Sequence, residues 1–166
     1  TDMDQALAVS SKPDEVRYQR AKLIYNYLVS GGKEYKDWTF EKALGEVQQA
    51  IAIDPLPIYR QLEGDLQFAL KHYSEALTAY ESVNASPMAS PTSFFNAAKT
   101  KEMMEAPADE VVALMDSCIA RFTAPYTTEA APFLLERAGA YMRAQKARKA
   151  VVDYDAYFQA VNGQVN

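Results

Sequence analysis

Reactive side chains are scarce in this chain, which has a single cysteine, Cys118, and a single histidine, His72. A lone cysteine excludes an internal disulfide and a cysteine-built metal site. Cys118 shares helical spacing with Val111, Met115 and Phe122, so it reads as a buried small hydrophobe; an activated thiol would need an accessible, electropositive setting. His72 stands beside Lys71 in an expected turn and reads as a solvated or capping residue, since no neighbour in the sequence would orient it as a general base. Glycine is also rare, and the prolines are scattered, which excludes low-complexity linkers and disordered tracts. No apolar run approaches the roughly 20 residues a membrane-spanning helix needs, so no membrane insertion is expected. The N-terminus, Thr1-Asp2-Met3-Asp4, has neither a basic nor an apolar leader region, so no signal peptide is expected; the compartment stays open, because an excised piece would read the same way.

Positive charge is in short supply as well: 17 Lys and Arg face 22 Asp and Glu, for a net charge of −5. The longest basic cluster, Arg143 to Lys149, straddles an expected turn and offers no aligned stripe for phosphates, so no nucleic-acid partner is expected. The carboxylates form no metal-binding or paired acid/base constellation. Asp109-Glu110 and Asp153-Tyr154-Asp155 fall within helices, where adjacent side chains diverge. With no Gly-rich phosphate loop and no nucleophile–base arrangement, no catalytic, cofactor or metal residue is assigned, and the chain is not expected to be an enzyme.

What is present is helix-forming sequence. Ala, Leu, Glu, Lys and Gln are plentiful, and no segment sustains the alternation of a strand, which predicts an all-α fold. The clearest segment is Phe40 to Ile53, with Thr39 as N-cap and Pro55 as stop. Around it, helices are expected over Asp2–Ser11, Asp14–Val29 (capped by Asp14 and stopped by Gly31-Gly32), Leu56–Leu70, Glu75–Val83 (capped by Ser74), Pro91–Met104 (capped by Ser90), Asp109–Phe122, Thr128–Ala144 and Arg148–Val161, with Asn162-Gly163 as the last C-cap. The connector Lys33 to Trp38 is longer than a tight helix–helix turn requires. Trp38, just before Thr39, is expected to pack as a hydrophobic staple or to serve as a loop anchor for a partner.

The helices come in pairs with a period. Ala43, Ala76, Val111 and Ala150, near the starts of the second helices, are 33, 35 and 39 residues apart, and Pro55, Pro87 and Pro125 each follow a second helix. A fixed period of helix pairs predicts a solenoid in which each pair buries its face against its neighbours. The expected organisation is an N-terminal helix and partial repeat over 1–13, units at about 14–55, 56–87, 88–125 and 126–161, and a tail over 162–166.

The pattern Phe40, Ala43, Val47, Ala50, Pro55 resembles the second half of a tetratricopeptide repeat. Gly64, Ala76, Tyr80 and Pro87 resemble it again, with the first helix one residue out of register. Phe94, Ala98, Cys118 and Pro125 form a degenerate copy, and Arg137-Ala138, Tyr141, Ala150 and Tyr154 a better one, with Arg137-Ala138 echoing Arg20-Ala21. Arg17 at a large aromatic position, Glu63-Gly64 at the small position and Tyr157 in place of a small residue depart from the pattern. The resemblance implies a right-handed superhelical α-solenoid of antiparallel helix pairs whose first helices line a concave groove for a peptide or partner protein. Carried over position by position, the groove residues are Tyr18, Lys22, Tyr25 and Asn26 in the first unit, then Phe95, Lys99, Glu102, Leu135, Met142 and Arg143 in the third and fourth. Arg60 and Gln67 are the candidates in the slipped second unit. Lys22 and Asn26 match part of a clamp for a C-terminal carboxylate, but the remaining clamp positions do not.

The expected function is therefore a non-catalytic protein-interaction scaffold. An alternative is a structural or self-associating segment of a longer solenoid or envelope assembly, motivated by the face of Tyr154, Tyr157, Phe158 and Val161, which a further helix would cover. A third reading places a small molecule or glycan between groove aromatics.

Overall fold

The computed structural model describes residues 2–9 and 11–162. Its elements are α1 (Asp2–Val9), α2 (Pro13–Val29), α3 (Phe40–Ile53), α4 (Pro57–Ala69), α5 (Tyr73–Asn84), α6 (Pro91–Met103), α7 (Ala108–Ile119), α8 (Ala131–Arg143) and α9 (Ala147–Asn162). The fold is all-α, built from antiparallel helix pairs α2–α3, α4–α5, α6–α7 and α8–α9. The chain divides into two compact units, Thr1–Met88 and Ala89–Asn166. Among the described residues, no helix is long and apolar enough to cross a membrane.

Local chemistry accounts for the helix ends. The Thr39 hydroxyl accepts from the Lys42 N–H at 3.1 Å, satisfying one of the orphan donors of α3. Ser90, just before Pro91, and Ser93, in the first turn, form a reciprocal capping box. At the other end, each first helix closes with the same turn. Gly31, Lys71, Glu105 and Gln145 all have positive φ. The next N–H in each case reaches back to the last turn, from Gly32 to Tyr27 O at 3.0 Å, His72 to Gln67 O at 2.9 Å, Ala106 to Lys101 O at 3.0 Å and Lys146 to Tyr141 O at 2.8 Å. These are Schellman closures, and three of them are made by residues other than glycine, each at a steric cost of about 1–2 kcal/mol.

Several boundaries differ from the sequence reading. Pro13, not Asp14, opens α2, and the N-cap position falls on Lys12; the Asp14 carboxylate instead accepts from the Tyr59 hydroxyl at 2.8 Å. Helix α5 begins at Tyr73 with His72 at its N-cap position, so Ser74 lies inside the helix rather than capping it; the Lys71 turn returns the chain early, and Tyr73 packs edge-on against Phe68. Helix α8 begins at Ala131 rather than Thr128 because Pro132, at its second position, would clash with the Thr128 carbonyl in a longer helix. Helix α7 ends at Ile119, and Phe122 beyond it stacks on Phe133 at 5.6 Å. The expected cap residue Gly163 lies outside the described residues.

Small residues do the close packing. Ala43, Ala50, Ala76, Ala138 and Ala150 are fully buried. A Cβ on Gly64 would stand 2.6 Å from the Tyr80 ring, so the glycine makes room for that tyrosine. In the first unit Ala21, Ile24, Val47, Leu62 and Leu66 share one core; in the second, Phe94, Ala98, Val111, Met115 and Ala138 share another. Cys118 is fully buried there, and burial pushes its thiol from 9.0 up to about 12.

Charge is buried at two corresponding places. Glu46 is 3% exposed and Asp153 2% exposed. Asp153 accepts from Nε and Nη2 of Arg137, both at 2.8 Å. Glu46 is met by three cations at longer range, Arg17 at 3.3 Å, Arg20 at 3.7 Å and Lys42 at 3.8 Å. Each carboxylate lies three residues after the buried alanine of its own helix, Ala43 or Ala150.

Candidate functional site

In the first unit the candidate surface is formed by α2 and α4. Lys22 and Asn26 are exposed, Tyr25 is half-buried, and Tyr18 is buried at 6% exposure. The Tyr18 ring lies 5.0 Å from that of Tyr59, with the Lys22 ammonium 5.8 Å from the Tyr18 ring. Tyr18 therefore floors this surface, and Lys22 covers it. Burial, with the charge of Asp65 adding to it, raises Tyr25 to about 12. Burial and the Asp14 hydrogen bond raise Tyr59 likewise to about 12. Where α2 and α4 begin, Glu15, Tyr18, Gln19, Leu56, Ile58 and Tyr59 line a depression of about 480 Å³. Its carboxylates Asp14, Glu15 and Asp54 outnumber its one cation, Lys12. Arg60 lies 3.9 Å from Glu63, while Gln67 is buried, with its Oε1 2.8 Å from His72 Nδ1.

In the second unit α6 and α8 bring three of the candidates into one charge network. Lys99 Nζ lies 2.9 Å from Glu102 Oε2 and 2.7 Å from Glu136 Oε1, and Arg143 donates to the other oxygen of Glu102. Burial pulls the Lys99 ammonium down, but the bonds to Glu136 and Glu102 outweigh it and hold the group above its usual value. Leu135 and Met142 flank the network at 44% and 51% exposure. Phe95 is half-buried, its ring 5.4 Å from Phe133. Glu136 was not among the sequence candidates. No local signal marks it, because its partner Lys99 lies 37 residues away on another helix.

Trp38 lies apart from these faces. A tight turn, Tyr35 to Trp38, pairs the two residues' backbones, with Lys36 at φ 51°. The Trp38 ring meets Tyr27 edge-on at 5.0 Å, while Tyr35 is 64% exposed. Both line a cavity of about 550 Å³ against Met3 of α1 and Leu23 and Ile24 of α2.

Solved structures show what this arrangement is similar to. MamA of Desulfovibrio magneticus RS-1 superposes with a TM-score of 0.79 at 14% identity, over 99% of this chain and 84% of that one. A thermophilic TPR protein of Thermus thermophilus superposes at 0.66 and 13% identity, over 98% and 81%. This is a tetratricopeptide-like fold. A tetratricopeptide repeat protein of Parabacteroides merdae aligns at 0.69 and 18% identity, over 89% of this chain and 54% of its own. By sequence, the chain matches no protein-family model and no curated protein. In tetratricopeptide terms, α2, α4, α6 and α8 are the first helices and α3, α5, α7 and α9 the second, with α1 preceding the first pair as a second helix would.

Proposed function

We propose that the chain is a non-catalytic scaffold that binds a peptide or partner protein on the exposed faces of its first helices. The observation that carries this reading is the α6–α8 surface. There two large apolar side chains, Leu135 and Met142, stay in solvent beside a mutually neutralising network of Lys99, Glu102, Glu136 and Arg143. Apolar anchors bordered by paired charges suit a polypeptide, whose side chains fill the apolar spots while its polar groups exchange with the network. The α2–α4 face adds Lys22, Asn26 and the acidic depression by Ile58. The tetratricopeptide-like fold supports the choice of first helices but does not by itself fix a function. A photo-crosslinker at Met142 is expected to capture a host protein that one at Asp109, on the second helix α7, does not. Alanine at Lys22, Asn26, Leu135 and Arg143 together is expected to abolish capture with helical content unchanged. Equal labelling from both positions would remove the reading. Tyr18 is left intact, because its burial would confuse lost binding with lost folding.

Self-association is a second reading, favoured by α9, on which Val151, Val152 and Phe158 are 55%, 66% and 56% exposed. Tyr154, Tyr157 and Val161 are half-buried, so the open apolar patch is narrower than the sequence reading drew it. Light scattering is expected to show a concentration-dependent mass that Phe158→Glu reduces to that of one chain. A constant single-chain mass for the unaltered protein would exclude it.

A further inference from the structure

Arg20 of α2 and Arg137 of α8 hold the same place in their repeats, each just before a fully buried alanine, Ala21 or Ala138. Each pairs with the buried carboxylate of the following helix and also with an exposed aspartate of the preceding one. Arg137 Nη1 lies 3.1 Å from Asp116, and Arg20 Nη1 lies 2.8 Å from Asp4. The match extends to the lysines that precede Ala150 and Ala43, which are Lys149 and Lys42.

In the second unit these charged groups surround an aromatic ring. Tyr141, four residues after Arg137, has its ring centre 5.6 Å from the Arg137 guanidinium and 5.8 Å from the Lys149 ammonium. Its hydroxyl donates to Asp116 at 3.4 Å. In the first unit the residue four after Arg20 is Ile24, which supplies neither ring nor hydroxyl. Arg20, Lys42, Asp4 and Ile24 all line the 550 Å³ cavity, together with Trp38 and Tyr35. Arg20 Nε is buried without a hydrogen-bond partner, whereas the corresponding atom of Arg137 donates to Asp153.

We propose that this cavity binds a small phenolic molecule, its ring lying against Arg20 and Lys42 and its hydroxyl donating to Asp4, as the Tyr141 ring lies near Arg137 and Lys149 in the second unit. Two cations over a ring face supply the attraction. Leu23, Ile24 and Trp38 supply the apolar surface, and the volume is that of a small-ligand site. The cavity shares no lining residue with the set assigned to a polypeptide partner.

Trp38 is the only tryptophan of the chain, so its fluorescence reports directly on the cavity. Titration of the whole chain with 4-ethylphenol is expected to give a saturable change in Trp38 emission. Ile24→Tyr, which restores the ring found in the second unit, is expected to weaken that binding at least tenfold, on the order of a fully blocked pocket. Lys42→Ala, at a half-exposed position that leaves the core intact, is expected to weaken it about threefold with an unchanged circular dichroism spectrum. No saturable change, or equal binding by Ile24→Tyr in folded form, would overturn the proposal. Equal affinity for ethylbenzene would overturn the hydroxyl contact with Asp4, and with it the phenol assignment. Tighter binding of N-acetyltyrosine amide would overturn the small-molecule source in favour of a partner's tyrosine side chain.

Discussion

Asp153→Ala is expected to destabilise the protein by about 3–5 kcal/mol, the range for removing one partner of a buried ion pair. The carboxylate is 2% exposed and takes two parallel bonds from Arg137 at 2.8 Å. That bidentate geometry is the strongest pairing available to a guanidinium. Truncation leaves the Arg137 charge in a mostly buried site with Asp116 as its remaining partner, and Asp116 is half in solvent. The loss comes from the stranded charge, not from the packing of a small side chain. Arg137→Met combined with Asp153→Leu should therefore recover most of it, ending within about 1 kcal/mol of the starting stability. Urea denaturation of the unaltered protein, Asp153→Ala and the double variant measures both values. A single-substitution cost below about 1 kcal/mol would show that the pair is hydrated and of the surface kind. Glu46 should be the milder counterpart, because its three cations stand at 3.3 to 3.8 Å and share its charge.

Leu66→Ala is expected to cost about 2–5 kcal/mol, in the upper part of that range. Leu66 is fully buried in the first core with Tyr59, Leu62 and Val47. The cost of a truncation depends on how far its surroundings collapse into the space, and here rings hold the walls apart. Tyr59 is fixed by Tyr18 and by its bond to Asp14, and Tyr18 belongs to the same core. Ile58, on the same helix but 54% exposed, is the control, and its truncation should cost less than about 1 kcal/mol. Chemical denaturation compares the pair. A Leu66→Ala cost no larger than that of Ile58→Ala would mean that this core is loosely packed.

The helical framework was legible because its signals are local. Thr39 and Ser90 cap where their hydroxyls predict, Pro55 follows the end of α3, and the alanines at the repeat period are the buried ones. The Gly31 closure was legible too, because glycine advertises positive φ. The same closure at Lys71, Glu105 and Gln145 was not, because those residue types carry no such preference. Packing of the paired helices imposes the turn on whatever residue stands there.

The candidate surface was legible only in part. Lys22, Asn26, Leu135, Met142 and Arg143 are on exposed faces, at positions that the repeat resemblance implies. Tyr18 is implied by the same resemblance but is buried, since its ring packs against that of Tyr59, a residue of the next helix pair. Glu136 joins the charge network through Lys99, 37 residues away.

The sequence alone determined that this is an all-α repeat of helix pairs, because caps, stops and apolar spacing act within one or two helical turns. Tertiary structure decided which polar groups are buried, which aromatics form floors and which cations meet which carboxylates. Arg20 with Asp4, Tyr59 with Asp14 and Arg137 with Asp153 are partners only because packing brings distant turns of chain within hydrogen-bond reach. Ile24 shows the division most simply: its sequence says core, and only the folded first unit shows an open cavity beside it where the second unit holds a tyrosine ring.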